Sequence, residues 1–83
     1  MKPPAYSSLT AFLAHRRALR ELTARDPAQS EHLARMEAAI AELGPAERGA
    51  IDSAMADGAA ARHRQRAERH LSQILRDRGW LTG

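Results

Sequence analysis

Residues able to do chemistry are few in this 83-residue chain, and their spacing restricts them further. It has no cysteine, which excludes a thiolate nucleophile, a thiolate metal site and a disulfide framework. His63 and His70 are two turns apart on a helical pattern, roughly 10 Å along the axis, too far to share one metal ion directly. His70 meets Glu68 or Asp77 only poorly in helical geometry, and neither a Gly-rich phosphate loop nor a nucleophile elbow occurs. His15 falls within an apolar helix face with Leu19, not a second ligand, one turn further on. It reads as a buried or half-buried histidine bonded to a backbone group, with a pH-sensitive interface residue as the alternative. The expectation is no enzyme, no cofactor, no metal and no small-molecule substrate.

The arginines are the stronger signal. Ala59 to Arg78 is the longest uninterrupted helical pattern. Projected at about 100° per residue, Ala60, Leu71, Ile74 and Leu75 gather near Ala67 on one stripe. Arg62, Arg66, Arg69 and Arg76 gather on the opposite side. Arg62, Arg66 and Arg69 share an arc of about 60°, which lets three guanidinium forks reach a run of phosphates. Such contacts are additive and salt-dependent through counterion release and carry no base sequence information. These four arginines are the candidate nucleic-acid-binding residues, and a solvated exterior is the competing reading. Arg64 and Arg78 project toward the apolar stripe, where their stems are expected to pack while the heads snorkel. With one Tyr, one Phe and one Trp, a stacking platform for single-stranded bases is not expected.

The elements that position this face follow from punctuation and periodicity. Pro3 and Pro4 oppose a helix at the start, so residues 1–6 are read as a flexible tail. Ser7 or Ser8 caps a first helix over about 8–25, with Ser8, Phe12, His15, Leu19 and Leu22 in 4-3-4-3 spacing and Leu9 and Leu13 widening the stripe. Asp26-Pro27 breaks the chain and opens a second helix over about 27–43, with Leu33, Met36, Ile40 and Leu43 inward. Glu31 and Arg35 form a favourable i,i+4 pair outside. Gly44-Pro45 ends it through a left-handed turn and starts a third helix over about 45–57, with Ile51, Ala54 and Met55 inward. The fourth follows almost at once, bent at Gly58 and stopped by Gly79, with Trp80 laid over Leu75 as a lid on the core.

Length makes this one domain, residues 1–83, near the lower limit for a self-sufficient core, so a homodimer that buries more surface is an open expectation. Charge is segregated. Five basic and two acidic residues give +3 over 1–26, two and six give −4 over 27–58, and six and two give +4 over 59–83. A nucleic-acid partner is one reading of the two basic ends; attraction between basic and acidic helices, within the monomer or between copies, is the preferred reading of the charge pattern. Twelve arginines against one lysine, with abundant alanine, is the bias of a GC-rich bacterial genome. No apolar run spans a membrane and the start lacks a signal-peptide core, which points to a cytoplasmic protein.

Two stretches resemble a known family. Leu43-Gly44-Pro45-Ala46-Glu47-Arg48-Gly49-Ala50-Ile51 looks like the opening of the region 4 domain of bacterial sigma factors. Arg64-Gln65-Arg66-Ala67-Glu68-Arg69-His70-Leu71, with Ile74, Leu75 and Gly79, resembles the end of that domain's recognition helix. Only Asp52 to His63 intervenes, so the first helix of the DNA-reading pair has no counterpart. The resemblance implies that Arg62, Arg66 and Arg69 touch the phosphate backbone. The fold expected is all-α: a compact bundle of three or four helices, an N-terminal antiparallel hairpin packed on the long C-terminal helix. The function expected is a small regulatory module binding duplex DNA or a transcription component. The alternative is a protein–protein interaction or homo-oligomeric assembly domain with no nucleic-acid role.

Overall fold

Side-chain caps at Ser8 and Asp26 and backbone turns at the described C-termini mark where the helices begin and end. A computed structural model describes residues 5–56 and 61–82, with side chains in the last helix described from Gln65 onward. Ser8 is extended and its Oγ accepts the Ala11 N–H at 3.1 Å, capping helix α1, Leu9–Arg25. Asp26 then plays two roles. Its N–H donates to the Leu22 carbonyl, and its carboxylate accepts the Ala28 N–H to open one 3-10 turn, Pro27–Gln29. Helix α2 proper is Ser30–Leu43, three residues later than the sequence reading placed it. The tight turn wins because Pro27 lacks an N–H and Gln29 bonds back to the Asp26 carbonyl over three residues.

Gly44 joins two helices without a loop. It ends α2 with φ 115° and ψ 162°, and its carbonyl accepts the Arg48 N–H to start α3, Pro45–Met55. The φ is positive as expected, but the extended ψ replaces the left-handed helical turn that the sequence implied. Helix α4 is Ala61–Asp77. It closes with the Trp80 N–H on the Leu75 carbonyl at 2.8 Å and the Gly79 N–H on the Arg76 carbonyl at 3.0 Å, with Gly79 at φ 81°. This is the Schellman ending, and it carries Trp80 and Leu81 into the core. The bend expected at Gly58 lies outside the described residues.

Among the described residues the result is an all-α bundle of four helices. α1 and α2 form the hairpin, α3 continues from α2, and α4 lies chiefly along α3 and the start of α1. Phe12, Ile40, Ile51, Leu71 and Leu75 are fully buried, so every helix contributes to one core. Met36, Leu43, Ala54 and Trp80 join them as the periodicity predicted, while Leu22, Leu33 and Ile74 are only half-buried.

On α1 the inward stripe is rotated from the one expected. It runs through Leu9, Phe12, Leu13 and Arg16, and the Arg16 side chain is 1% exposed. His15 is exposed, not buried, and its Nδ1 lies 2.9 Å from the Tyr6 hydroxyl instead of on a backbone group. Rotation by about one residue, 100°, exchanges the two neighbours: the longer and more strongly donating arginine takes the inner position. Tyr6 also corrects the reading of residues 1–6 as a tail. Its N–H donates to the Trp80 carbonyl and its carbonyl accepts the Thr82 N–H, both at 2.8 Å, in an isolated parallel bridge with Leu81. Residues 1–4 lie outside the described residues. The ring of Tyr6 packs 5.2 Å from Phe12, which meets Trp80 edge-on at 5.6 Å, and burial pushes the Tyr6 hydroxyl pKa up.

Candidate nucleic-acid interface

The face of α4 turned away from the core is cationic. Leu71 and Leu75 are fully buried while Ala67 and Ile74 are half-buried, which fixes the rotation of the helix. That rotation leaves Arg66, Arg69 and Arg76 exposed on the other side. The side chain of Arg62 lies outside the described residues. Arg69 and Arg76 are two turns apart, roughly 10 Å along the axis and nearly aligned in azimuth, with Arg66 offset to one side. Arg78, expected to lay its stem along the apolar stripe with its head in water, is exposed and borders a surface hollow with Ala39, Leu43 and Trp80, its N–H still on the Ile74 carbonyl at 3.0 Å.

What decides the electrostatics lies elsewhere in the bundle. Arg16 Nε and Nη2 donate to the two carboxylate oxygens of Glu37 at 2.8 and 2.9 Å, a fork-on-fork pair between α1 and α2. Its Nη1 donates to Asp52 of α3 at 2.8 Å and touches the Met55 sulfur at 3.3 Å. Burial by itself would lower the Arg16 pKa; the bonds to Glu37 and Asp52 outweigh it and the net direction is up. The bond from Arg16 holds the Glu37 carboxyl below its ordinary range, against a smaller upward push from burial.

The acidic middle of the chain therefore does pair with a basic helix, but that helix is α1. Arg20 lies 3.9 Å from the same Asp52, and Glu31 pairs with Arg35 within α2. Among the described residues no ion pair holds Arg66, Arg69 or Arg76. Sequence reasoning missed Arg16 because it was counted as one charge among five in the first segment. The signal was present: Arg16 sits four residues after Phe12 and three after Leu13, on the stripe itself.

Beside the cationic face is an open groove of about 680 Å³ between α4 and the first turn of α1. Arg69, Ser72, Gln73 and Arg76 form one wall and Ser8, Leu9 and Thr10 the other, with Glu68 the one carboxylate among the lining residues. The sequence offered no route to this groove, since the pairing of α1 with α4 is tertiary. Among the described residues no three His, Cys, Asp or Glu side chains are placed to hold a metal ion, and no helix is long and apolar enough to cross a membrane. Comparison with known protein families, with characterised proteins and with solved structures finds no match for this chain.

Proposed function

We propose that this protein is a non-enzymatic binding module that holds duplex DNA through the phosphate backbone, with Arg66, Arg69 and Arg76 of α4 as its contacts and Arg62 as a fourth candidate. The observation that carries the reading is that Arg66, Arg69 and Arg76 are exposed with no carboxylate partner among the described residues, while a different arginine neutralises Glu37 and Asp52. An arginine row on a rigid helix supplies charge and forked donors at fixed spacing. The same row lacks what other readings need. Trp80 and Phe12 are buried and Tyr6 is half-buried against Phe12, so no row of exposed rings is offered for successive bases to stack on. The acidic side chains that would have drawn a second copy onto α4 are in part already engaged inside the monomer. The resemblance of 64–71 to the end of a recognition helix points the same way. A role in transcription regulation belongs to this proposal.

The test is the salt dependence of duplex binding. Three or four phosphate contacts give a slope of log K against log salt of about −3, a loss of about 40- to 150-fold between about 50 and 200 mM salt. Replacing Arg66, Arg69 and Arg76 by Gln removes that binding and leaves the helical signal intact. A wild-type protein that passes through immobilised duplex DNA at low salt without retention overturns the proposal.

A further inference from the structure

We infer that the groove between α4 and the first turn of α1 seats one strand of the duplex, so that α1 is a second contact element; this rests on the α4 reading above. Three features of the groove support it. Arg69 and Arg76 both stand on its α4 wall, about 10 Å apart along the axis. Because a strand winds around the duplex axis, its phosphates are spaced by about twice the ~3.4 Å axial rise, so that separation spans about one to two phosphate steps of a seated strand. Between and opposite the two cations the lining is polar and small. Ser72 on α4 and Thr10 on α1 have no hydrogen bond to other described residues, and the Ser8 hydroxyl, whose oxygen accepts the Ala11 N–H, keeps its own proton to donate. Hydroxyl groups flanking guanidinium groups are the donor set that phosphate contacts use. An uncharged or cationic occupant would waste the two arginines, and a peptide carboxylate would answer only one of them; a strand of regularly spaced phosphates answers both.

The groove also contains its own control. Glu68 is half-buried at its edge, next to Arg69, and is the lining group that repels a phosphate. Glu68→Gln removes that repulsion and tightens duplex binding about two- to fivefold at low salt, a gain that misfolding cannot imitate. On the facing wall, Thr10→Glu places a carboxylate in the strand's path. Thr10 is in the first turn of α1, where a carboxylate favours the helix, so the fold is preserved. The matched variant is Ala38→Glu, the same change of net charge at an exposed position of α2 away from the groove.

Fluorescence anisotropy with one labelled duplex at fixed low salt reads all three. Thr10→Glu weakens binding at least about tenfold while Ala38→Glu stays within about twofold of wild type. Equal losses in the two variants, or no gain in Glu68→Gln, overturn the seating of a strand in the groove and leave the α4 arginines as the contact. If wild type itself does not bind, the α4 reading and the groove fall together.

Discussion

A guanidinium group at 1% exposure has five N–H donors to satisfy, and Arg16 places four hydrogen bonds on three side chains from two other helices. Removing one partner of such a set is worse than never having built it, because the remaining charges keep their desolvation without its compensation. Glu37 retains 28% and Asp52 50% of side-chain exposure, so the loss falls at the lower end of the roughly 3–5 kcal/mol typical of breaking a buried pair. Arg16→Ala is expected to destabilise by about 3 kcal/mol, part of it from the void left by the stem, whereas Asp52→Asn costs about 1 kcal/mol or less. The denaturant midpoint in urea checks both, and equal effects would mean that the Asp52 arm carries the network and the Glu37 fork adds nothing. The same network sets the acid limit. Glu37 has a lower pKa folded than its ordinary value of 4.5. Its contribution is therefore complete above 4.5 and disappears as pH falls through the lower folded value. Stability measured from pH 6 downward is expected to decline in that window, and Glu37→Gln to flatten the decline by removing the titrating group while starting from a less stable protein.

At the scale of the element, two glycines five residues apart have opposite meanings. At Gly44 an added Cβ would lie 2.8 Å from Glu47 Oε2, and the backbone has φ 115°, where L side chains are strained. Gly49 is inside α3 with open space around the same position. Gly44→Ala is expected to lower stability by about 1–3 kcal/mol and Gly49→Ala to raise it by about 0.5–1 kcal/mol, both read from urea midpoints. A stabilised Gly44→Ala would show that the α2–α3 junction adapts freely. The junction was legible in the sequence because Gly-Pro is a local signal; so were the Ser8 cap, the Trp80 ending and the inward faces of α2 and α3. The rotation of α1 was not. Two stripes one residue apart both contain Phe12, and choosing between them depends on Glu37 and Asp52, which are 21 and 36 residues from Arg16 and meet it only in the folded state. The groove was hidden for the same reason, whereas the outward turn of Arg66, Arg69 and Arg76 followed from the leucines opposite them.

For the molecule as a whole, the question is whether its cationic side is a by-product of folding or a surface independent of it. The core is closed by residues from both ends: Tyr6 bonds to Trp80 and Thr82, and Trp80 is 4% exposed against Phe12. Trp80→Ala should therefore cost about 3–5 kcal/mol, a large share of the roughly 5–15 kcal/mol that holds a domain folded, and its thermal unfolding should begin near room temperature. The α4 arginines stand in contrast. They make no ion pair with described residues, so folding does not depend on them, and like charges along one helix repel. Only Arg76, in the last turn, gains a few tenths of a kcal/mol from the helix dipole. Changing Arg66, Arg69 and Arg76 together to Gln should then leave the urea midpoint within about 0.5 kcal/mol of wild type, since helix propensity is nearly unchanged. Arg16, of the same residue type, loses several times as much when changed alone. A triple variant destabilised by about 2 kcal/mol or more would make that row part of the scaffold, and the case for an external phosphate partner would lose the independence on which it depends.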